Sequence, residues 1–224
     1  MSTQYLWPQF VCLTISLATT ALGVFIGQTK NFQNVFYFVF PATLGVEIVK
    51  FFIIQKCFQI PGNAFPNATG KHNNYGTLSF IKDLLKTVTI FLFAIIVVAF
   101  ALGATNLEAT IYFSLILTCI SLLPIQLFVG PRCAVLVMLS SKLELGKLIA
   151  EQHLDFLQYA AIGAILGSWG SSIAMPLDWD RPYQTYPIPQ VVGAIGGHLL
   201  GCVFFVLRTM LINAKNEIKK KSIL

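Results

Sequence analysis

Long apolar runs separated by short polar segments set the pattern of this 224-residue chain. Each of six runs is close to the roughly 20 residues that a helix needs to cross a bilayer core. The runs are continuous rather than alternating, which favours helices over the strands of a barrel. They cover residues 8–27, 35–55, 84–104, 109–129, 156–176 and 188–211. The pattern predicts an all-α, polytopic membrane protein: one domain over residues 1–224, built as a bundle of six transmembrane helices with short loops.

A shorter apolar stretch follows the fourth predicted span. Residues 133–139 are too few to cross the bilayer. In the segment 142–155 that comes next, Leu145, Leu148 and Ile149 fall on one side of a helix. We therefore predict an interfacial helix between the fourth and fifth spans.

Composition narrows the class of protein further. Hydrophobic residues make up 56% of the chain and charged residues only 11%, against about 25% charged in a typical soluble protein. This balance excludes a soluble enzyme, a disordered chain and a secreted disulfide scaffold. The five cysteines are scattered and show no metal-binding spacing, so we predict neither a metal nor a cofactor.

The net charge of +6 is divided unequally between the two sides of the predicted bundle. One side carries Lys56, Lys71, Lys82, Lys86, Arg132, Lys142, Lys147, Arg208, Lys215, Lys219, Lys220 and Lys221. The opposite side carries only Lys30 and Arg181, and Lys50 lies within a span. Cationic loops stay on the cytosolic side of a membrane, so both termini are predicted to be cytosolic. Because the charges do not form one basic face, nucleic acid is not a predicted partner.

Two ionisable residues lie inside the second predicted span. Glu47 and Lys50 are three residues apart, which places them on one helical face. Such charges are costly to expose to lipid. They are either a mutually neutralised pair that faces other helices or, in a small transporter, part of a central cavity.

Glycines recur at four-residue spacing on the last two spans. Gly193, Gly197 and Gly201 lie along the sixth span, and Gly163 and Gly167 along the fifth. Small residues at this spacing form a groove in which two helix backbones approach closely. The groove fits either another helix of this chain or a helix of a partner.

The segment that joins these two spans, residues 176–187, has the densest group of polar and aromatic side chains in the chain. Asp178 and Asp180 together could hold a divalent cation in a membrane transferase. The alternative is a rigid corner, bounded by prolines, in which Arg181 pairs with an acid and the aromatic rings anchor at the membrane interface.

The corner and its flanking helices resemble the phosphatidylinositol-glycan biosynthesis class F (PIG-F) family. The resemblance covers about 35 residues and rests on Leu166-Gly167-Ser168-Trp169-Gly170, on Pro176-Leu177-Asp178-Trp179-Asp180-Arg181-Pro182, and on Gln184, Tyr186-Pro187-Ile188 and the glycine-spaced last span. Weaker support comes from Glu108, Pro124 and Gly130-Pro131. Tyr183 and Tyr186 stand where the family usually has Trp, and Tyr keeps an amphipathic ring.

The resemblance implies a place in glycosylphosphatidylinositol (GPI) anchor assembly in the endoplasmic reticulum membrane. Proteins of this family are regarded as non-catalytic subunits that stabilise the class O and class G ethanolamine-phosphate transferases. We accordingly expect the fifth and sixth spans and their corner, which would lie on the lumenal side, to form the surface that holds such a partner; membrane lipid is the other predicted partner. The predicted docking residues are Asp178, Trp179, Asp180, Arg181, Pro182, Gln184, Gly193, Gly197 and Gly201.

Overall fold

The computed structural model describes residues 9–12, 14–16, 32–58, 77–139, 148–174 and 186–221. The helices are α1 (Phe32–Phe58), α2 (Thr77–Ala101), α3 (Leu107–Ser121), α4 (Leu123–Val129), α5 (Pro131–Leu139), α6 (Leu148–Ser171) and α7 (Ile188–Lys221), with a 3₁₀ turn at Ser172–Ala174. Residues 9–12 and 14–16 are helical as well. The prediction of an all-α fold is therefore confirmed for the described part of the chain.

Three of the described helical segments are long and apolar enough to cross a bilayer. They are Leu78–Ala101, Leu107–Val129 and Ile188–Asn216, and they correspond to the third, fourth and sixth predicted spans. The first predicted span lies mostly outside the described residues. The second and fifth fall on α1 and α6, which are helical over their described residues but are not among these three. A count of six spans stays a prediction.

The possible interfacial helix over 142–155 stays a prediction, since the structure describes only its second half, residues 148–155. Residues 148–155 form the first two turns of α6, which continues without a break to Ser171. The helix continues because neither Gly nor Pro interrupts residues 148–162. His153 and Leu154, near the end of this stretch, are buried within the bundle.

The central helix of the bundle is α3, which buries a row of small hydroxyl residues. Each hydroxyl donates to a backbone carbonyl one turn earlier in its own helix, so none needs a partner from a neighbouring helix. The row consists of Thr110, Ser114, Thr118 and Ser121, with donor–acceptor distances of 2.7, 2.6, 2.7 and 2.5 Å. Because these side chains are small and internally bonded, neighbouring helices pack closely against α3.

A break at Leu122 separates α3 from α4. Pro124 lies at the start of α4 and has no backbone N–H to continue the ladder of hydrogen bonds. The fourth predicted span is thus two helices that meet at a buried leucine. Ile125 and Phe128 of α4 join residues of α6 and α7 in one apolar cluster.

The periphery of the bundle contains α2, which packs on α3 and α5. Large apolar side chains such as Leu85, Phe93 and Val97 cover its outer face and are exposed. In a membrane this face meets lipid or the helices of another protein. The buried apolar residues form two clusters: the larger joins α1, α4 and α5 with α6 and α7, and the smaller joins α3 with α6 and α7.

Candidate functional site

The last two long helices form an antiparallel pair along their glycines. Gly163 of α6 faces Gly197 of α7, Gly167 faces Gly193, and Tyr159 faces Gly201. A Cβ added at Gly167 would lie 2.8 Å from the Gly197 Cα, closer than side-chain carbons come to such atoms. The absence of side chains thus lets the two backbones touch, which is the contact that favours helix association in lipid. We call this contact the glycine seam.

The glycine seam lies within the chain itself. Of the two arrangements that the spacing allows, the structure has the one in which the groove of α7 is filled by α6. Gly193, Gly197 and Gly201 therefore touch their own chain. A docking role for these three residues stays a prediction, and any such role has to act through the way they position α6 and α7.

The corner between the two helices falls mainly outside the described residues. Asp178, Trp179, Asp180, Arg181, Pro182 and Gln184 all lie in the segment 175–185, which the structure does not describe. Their docking role and the alternative of a metal site at the two aspartates stay predictions. The structure describes the residues on either side of the corner, up to residue 174 and from residue 186 onward, which we call its flanks.

Both flanks are fixed by hydrogen bonds. Gln190 of α7 donates through Nε2 to the hydroxyl of Ser172 at 3.4 Å, which links the two sides of the corner. Tyr186 donates its hydroxyl proton to Thr110 Oγ1 of α3 at 2.9 Å. Burial raises the pKa of Tyr186, against the opposing effect of its hydrogen bond to Thr110, so the phenol remains protonated at neutral pH. The corner therefore starts and ends on anchored positions.

The ion pair proposed for the second span is present and lies inside the bundle. Lys50 contacts the carboxylate of Glu47 one turn earlier on α1, and both side chains are buried. The Lys50 ammonium also donates to Ser16 Oγ at 3.1 Å. This bond connects α1 to the helical residues 9–12 and 14–16, which we call the first helical segment. The charges neutralise each other and connect two elements of the fold, as expected for a pair that faces other helices.

Several contacts at this site could not be assigned from sequence. The pairing of Tyr159 with Gly201 and the burial of His153 in the bundle carry no local signal in the chain. One signal was available for the seam: the spacing on α6 matches that on α7 when the two helices run in opposite directions. Among the described residues, no three His, Cys, Asp or Glu side chains are arranged to hold a metal ion.

Together the apolar helices, the glycine seam and the buried ion pair define a multi-helix integral membrane protein. The sequence profile of the GPI biosynthesis protein family Pig-F matches residues 9–205. The chain belongs to this family, and the resemblance drawn from the corner and the last span is confirmed. No solved structure matches the chain significantly.

Individual relatives agree with this assignment. The chain is 27% identical over 144 residues to the human protein named GPI ethanolamine phosphate transferase, stabilizing subunit, a match that covers 62% of this chain and 63% of the human one. It is 54% identical over 43 residues to glycosylphosphatidylinositol anchor biosynthesis protein 11 of Eremothecium gossypii, which covers 19% and 20% of the two chains. The protein of the same name from Neurospora crassa is 48% identical over 42 residues, 19% of this chain and 15% of the relative. The aligned parts thus span a fifth or less of the two fungal proteins and somewhat under two thirds of the human one.

Proposed function

We propose that this chain is a non-catalytic, stabilising subunit of GPI-anchor ethanolamine-phosphate transferases in the endoplasmic reticulum membrane. The observation that carries the proposal is membership of the Pig-F family over residues 9–205. A second support is the printed name of the human relative, a stabilizing subunit of a GPI ethanolamine phosphate transferase. In this role the chain supports transfer of ethanolamine phosphate to mannose of the GPI precursor, and its partners are the class O and class G transferases.

The proposed arrangement in the membrane has six spans and cytosolic termini. It is supported by the one-sided distribution of Lys and Arg between the apolar runs. In this orientation the corner at residues 175–185 faces the lumen. A partner that adds a group to the GPI precursor on that side would meet the corner directly.

The proposed docking surface combines the corner with the helix pair that carries it. Arg181 supplies a cation that can form a bidentate pair with a carboxylate of the partner. The seam contributes indirectly: it holds α6 and α7 at a fixed separation, and the bonds from Gln190 and Tyr186 fix the two flanks. A side chain at Gly197 would therefore disturb the corner without touching the partner.

The test replaces the chain in cells by variants and measures two quantities in the same membranes. These are the abundance of co-purifying transferase and the addition of ethanolamine phosphate to the GPI precursor. Docking predicts that Arg181→Ala and Gly197→Leu lower the abundance of the transferase, and that overexpressing the transferase restores part of the activity. Gly196→Leu is the matched control, because a Cβ at Gly196 meets no atom within 4 Å.

Two results would argue against docking. Normal transferase abundance and co-purification with both variants, at normal levels of this chain, would remove the hypothesis. If alanine at Asp178 and Asp180 abolished activity while the transferase stayed at its normal level, the corner would instead be a metal-dependent catalytic site. A small transporter would instead use Glu47 and Lys50 in a central cavity and would work without any partner protein, so normal activity of the purified chain alone would favour that alternative.

A further inference from the structure

A small cavity lies inside the bundle, bordered by the first helical segment, α1, α4, α6 and α7. Its volume is about 30 Å³. Six of the residues that line it bear polar or ionisable groups: Cys12, Glu47, Lys50, Gln55, His153 and His198. The cavity thus collects the buried ion pair and two imidazoles at one place inside the bundle.

The two imidazoles have unused hydrogen-bonding capacity. His153 is 2% exposed and His198 is 7% exposed. In each, Nδ1 has no hydrogen-bond partner among the described residues. A buried polar atom without a partner forfeits the hydrogen bonds it makes with water in the unfolded chain. The His153 ring is nevertheless held in one place by the rings of Phe128, at 4.9 Å edge to face, and Phe156, at 6.0 Å in a stack.

The ion pair also has capacity left. An ammonium group donates three hydrogen bonds, and within the described ranges Lys50 gives two, to Glu47 and to Ser16. A carboxylate accepts about four, and the bond that Glu47 receives in this part of the chain comes from Lys50. A buried pair is stable only when further hydrogen bonds satisfy the remaining donors and acceptors.

We infer that this cavity is a water-binding site, in which about two water molecules bridge the Glu47–Lys50 pair to the imidazoles of His153 and His198. The cavity volume of about 30 Å³ fits two water molecules, since a cavity needs roughly 10 to 15 Å³ of such volume to hold each one. The polar lining indicates that the cavity holds water, because empty protein cavities are apolar, whereas cavities with several polar partners hold water.

The bound water gives the site a structural task that the ion pair alone does not perform. Glu47, Lys50 and Ser16 connect α1 with the first helical segment, and the imidazoles belong to α6 and α7. Water between them would join these four elements through one polar network. The site lies apart from the corner and does not depend on the proposed docking function.

The test uses the full wild-type chain, labelled with ¹⁵N-histidine and ¹⁵N-isoleucine and reconstituted in lipid bilayers. Water-edited solid-state NMR measures how fast magnetisation passes from water to each nitrogen. The imidazole nitrogens of His153 and His198 should build up several-fold faster than the backbone amide of Ile116, which is fully buried in an apolar cluster. Imidazole build-up as slow as that of Ile116 would show a dry cavity and overturn the inference.

A second measurement examines the same site through stability. The variant His153→Phe/His198→Phe removes the polar partners of the water, and the apparent melting temperature of the chain in mild detergent should fall. Adding Glu47→Leu and Lys50→Met to that variant removes the charges that need the water, and the melting temperature should recover. If the two phenylalanines raise the melting temperature while the ion pair is retained, the cavity was dry and the inference is wrong.

Discussion

Replacing Gly197 by alanine tests whether the glycine seam sets the separation of α6 and α7. The added Cβ would lie 2.9 Å from the carbonyl carbon of Gly163 and 2.9 Å from the Cα of Gly167. Ordinary van der Waals contact begins at 3.4 Å and extends to 4 Å. Both opposing atoms are backbone, so no flexible side chain can turn aside, and the helices have to separate.

The required separation allows an estimate of the cost. Restoring ordinary contact to these two carbons moves the helices apart by about 0.5 to 1 Å, and the carbonyl oxygen of Gly163, which the Cβ would meet first, requires more. The separation therefore forfeits at least roughly a quarter to a half of each atom pair's dispersion energy. For roughly 40 atom pairs along the seam at about 0.15 kcal/mol each, losing a third costs about 2 kcal/mol. This value lies within the range of about 1 to 3 kcal/mol that overpacking typically costs.

The neighbouring residue supplies the control. A Cβ at Gly196 meets nothing within 4 Å, and alanine is a better helix former than glycine by up to about 1 kcal/mol. Gly196→Ala should therefore leave stability unchanged or raise it, although the chemical change is identical. The pair separates a steric effect at the seam from a general effect of adding a methyl group to α7.

Thermal unfolding of the full chain in mild detergent measures the difference. The apparent melting temperature should fall by roughly 4 to 8 °C for Gly197→Ala and more for Gly197→Leu. It should not fall for Gly196→Ala. Equal melting temperatures for the two alanine variants would refute the reasoning, because the close approach of the backbones would then not govern the stability of the helix pair.

Other features of the chain lead to three further predictions. An acceptor sequon engineered near Thr185 should be glycosylated while the natural sequon at Asn67 is not, as gel mobility before and after glycosidase treatment would show; a glycan on Asn67 would contradict the six-span topology. The run Lys219–Lys221 resembles a dilysine retrieval signal, except that Ser222 stands where the strict pattern has Lys; if the run acts as one, replacing all three lysines by serine should release the protein from the endoplasmic reticulum, and an unchanged location at unchanged topology would show that the lysines serve orientation alone. Tyr186→Phe removes the hydrogen bond to Thr110 and should lower the free energy of unfolding by about 0.5 to 1.5 kcal/mol, whereas an unchanged melting temperature would mean that this bond does not anchor the corner.

Features with a strong local period were predictable from the sequence. The start of the sixth run at residue 188 coincides with the start of α7, because Pro187 and Pro189 lie at the boundary and a mostly apolar run follows. The contact between Glu47 and Lys50 follows from their spacing on one helical face. Both features depend only on residues close together in the chain.

Features that depend on distant residues were not predictable in the same way. The segment 148–155 has the composition of an interfacial helix, yet His153 and Leu154 are buried because α4 and α7 pack around them. The glycine spacing predicted a close contact between two helices. It did not identify the second helix, because a groove of this kind accepts any helix with small residues at matching positions. The corner contains the sequence motif that is most specific for the PIG-F family. Its residues lie mostly outside the described ranges.

The seam and the corner have a common physical basis. In lipid, apolar side chains gain little by leaving one apolar environment for another, so the close fit of Gly163 and Gly167 against α7 has to supply much of the attraction between the helices. That fit determines where Ser172 and Gln190 meet. The hydrogen bond from Tyr186 to Thr110 connects the same end of the helix pair to the central helix α3. Flanking residues held by these two bonds lose little conformational entropy if a partner binds beside them. A chain that acts by holding another protein, without chemistry of its own, benefits from this kind of rigidity, and for that reason the glycines matter to the proposed function even though they touch only their own chain.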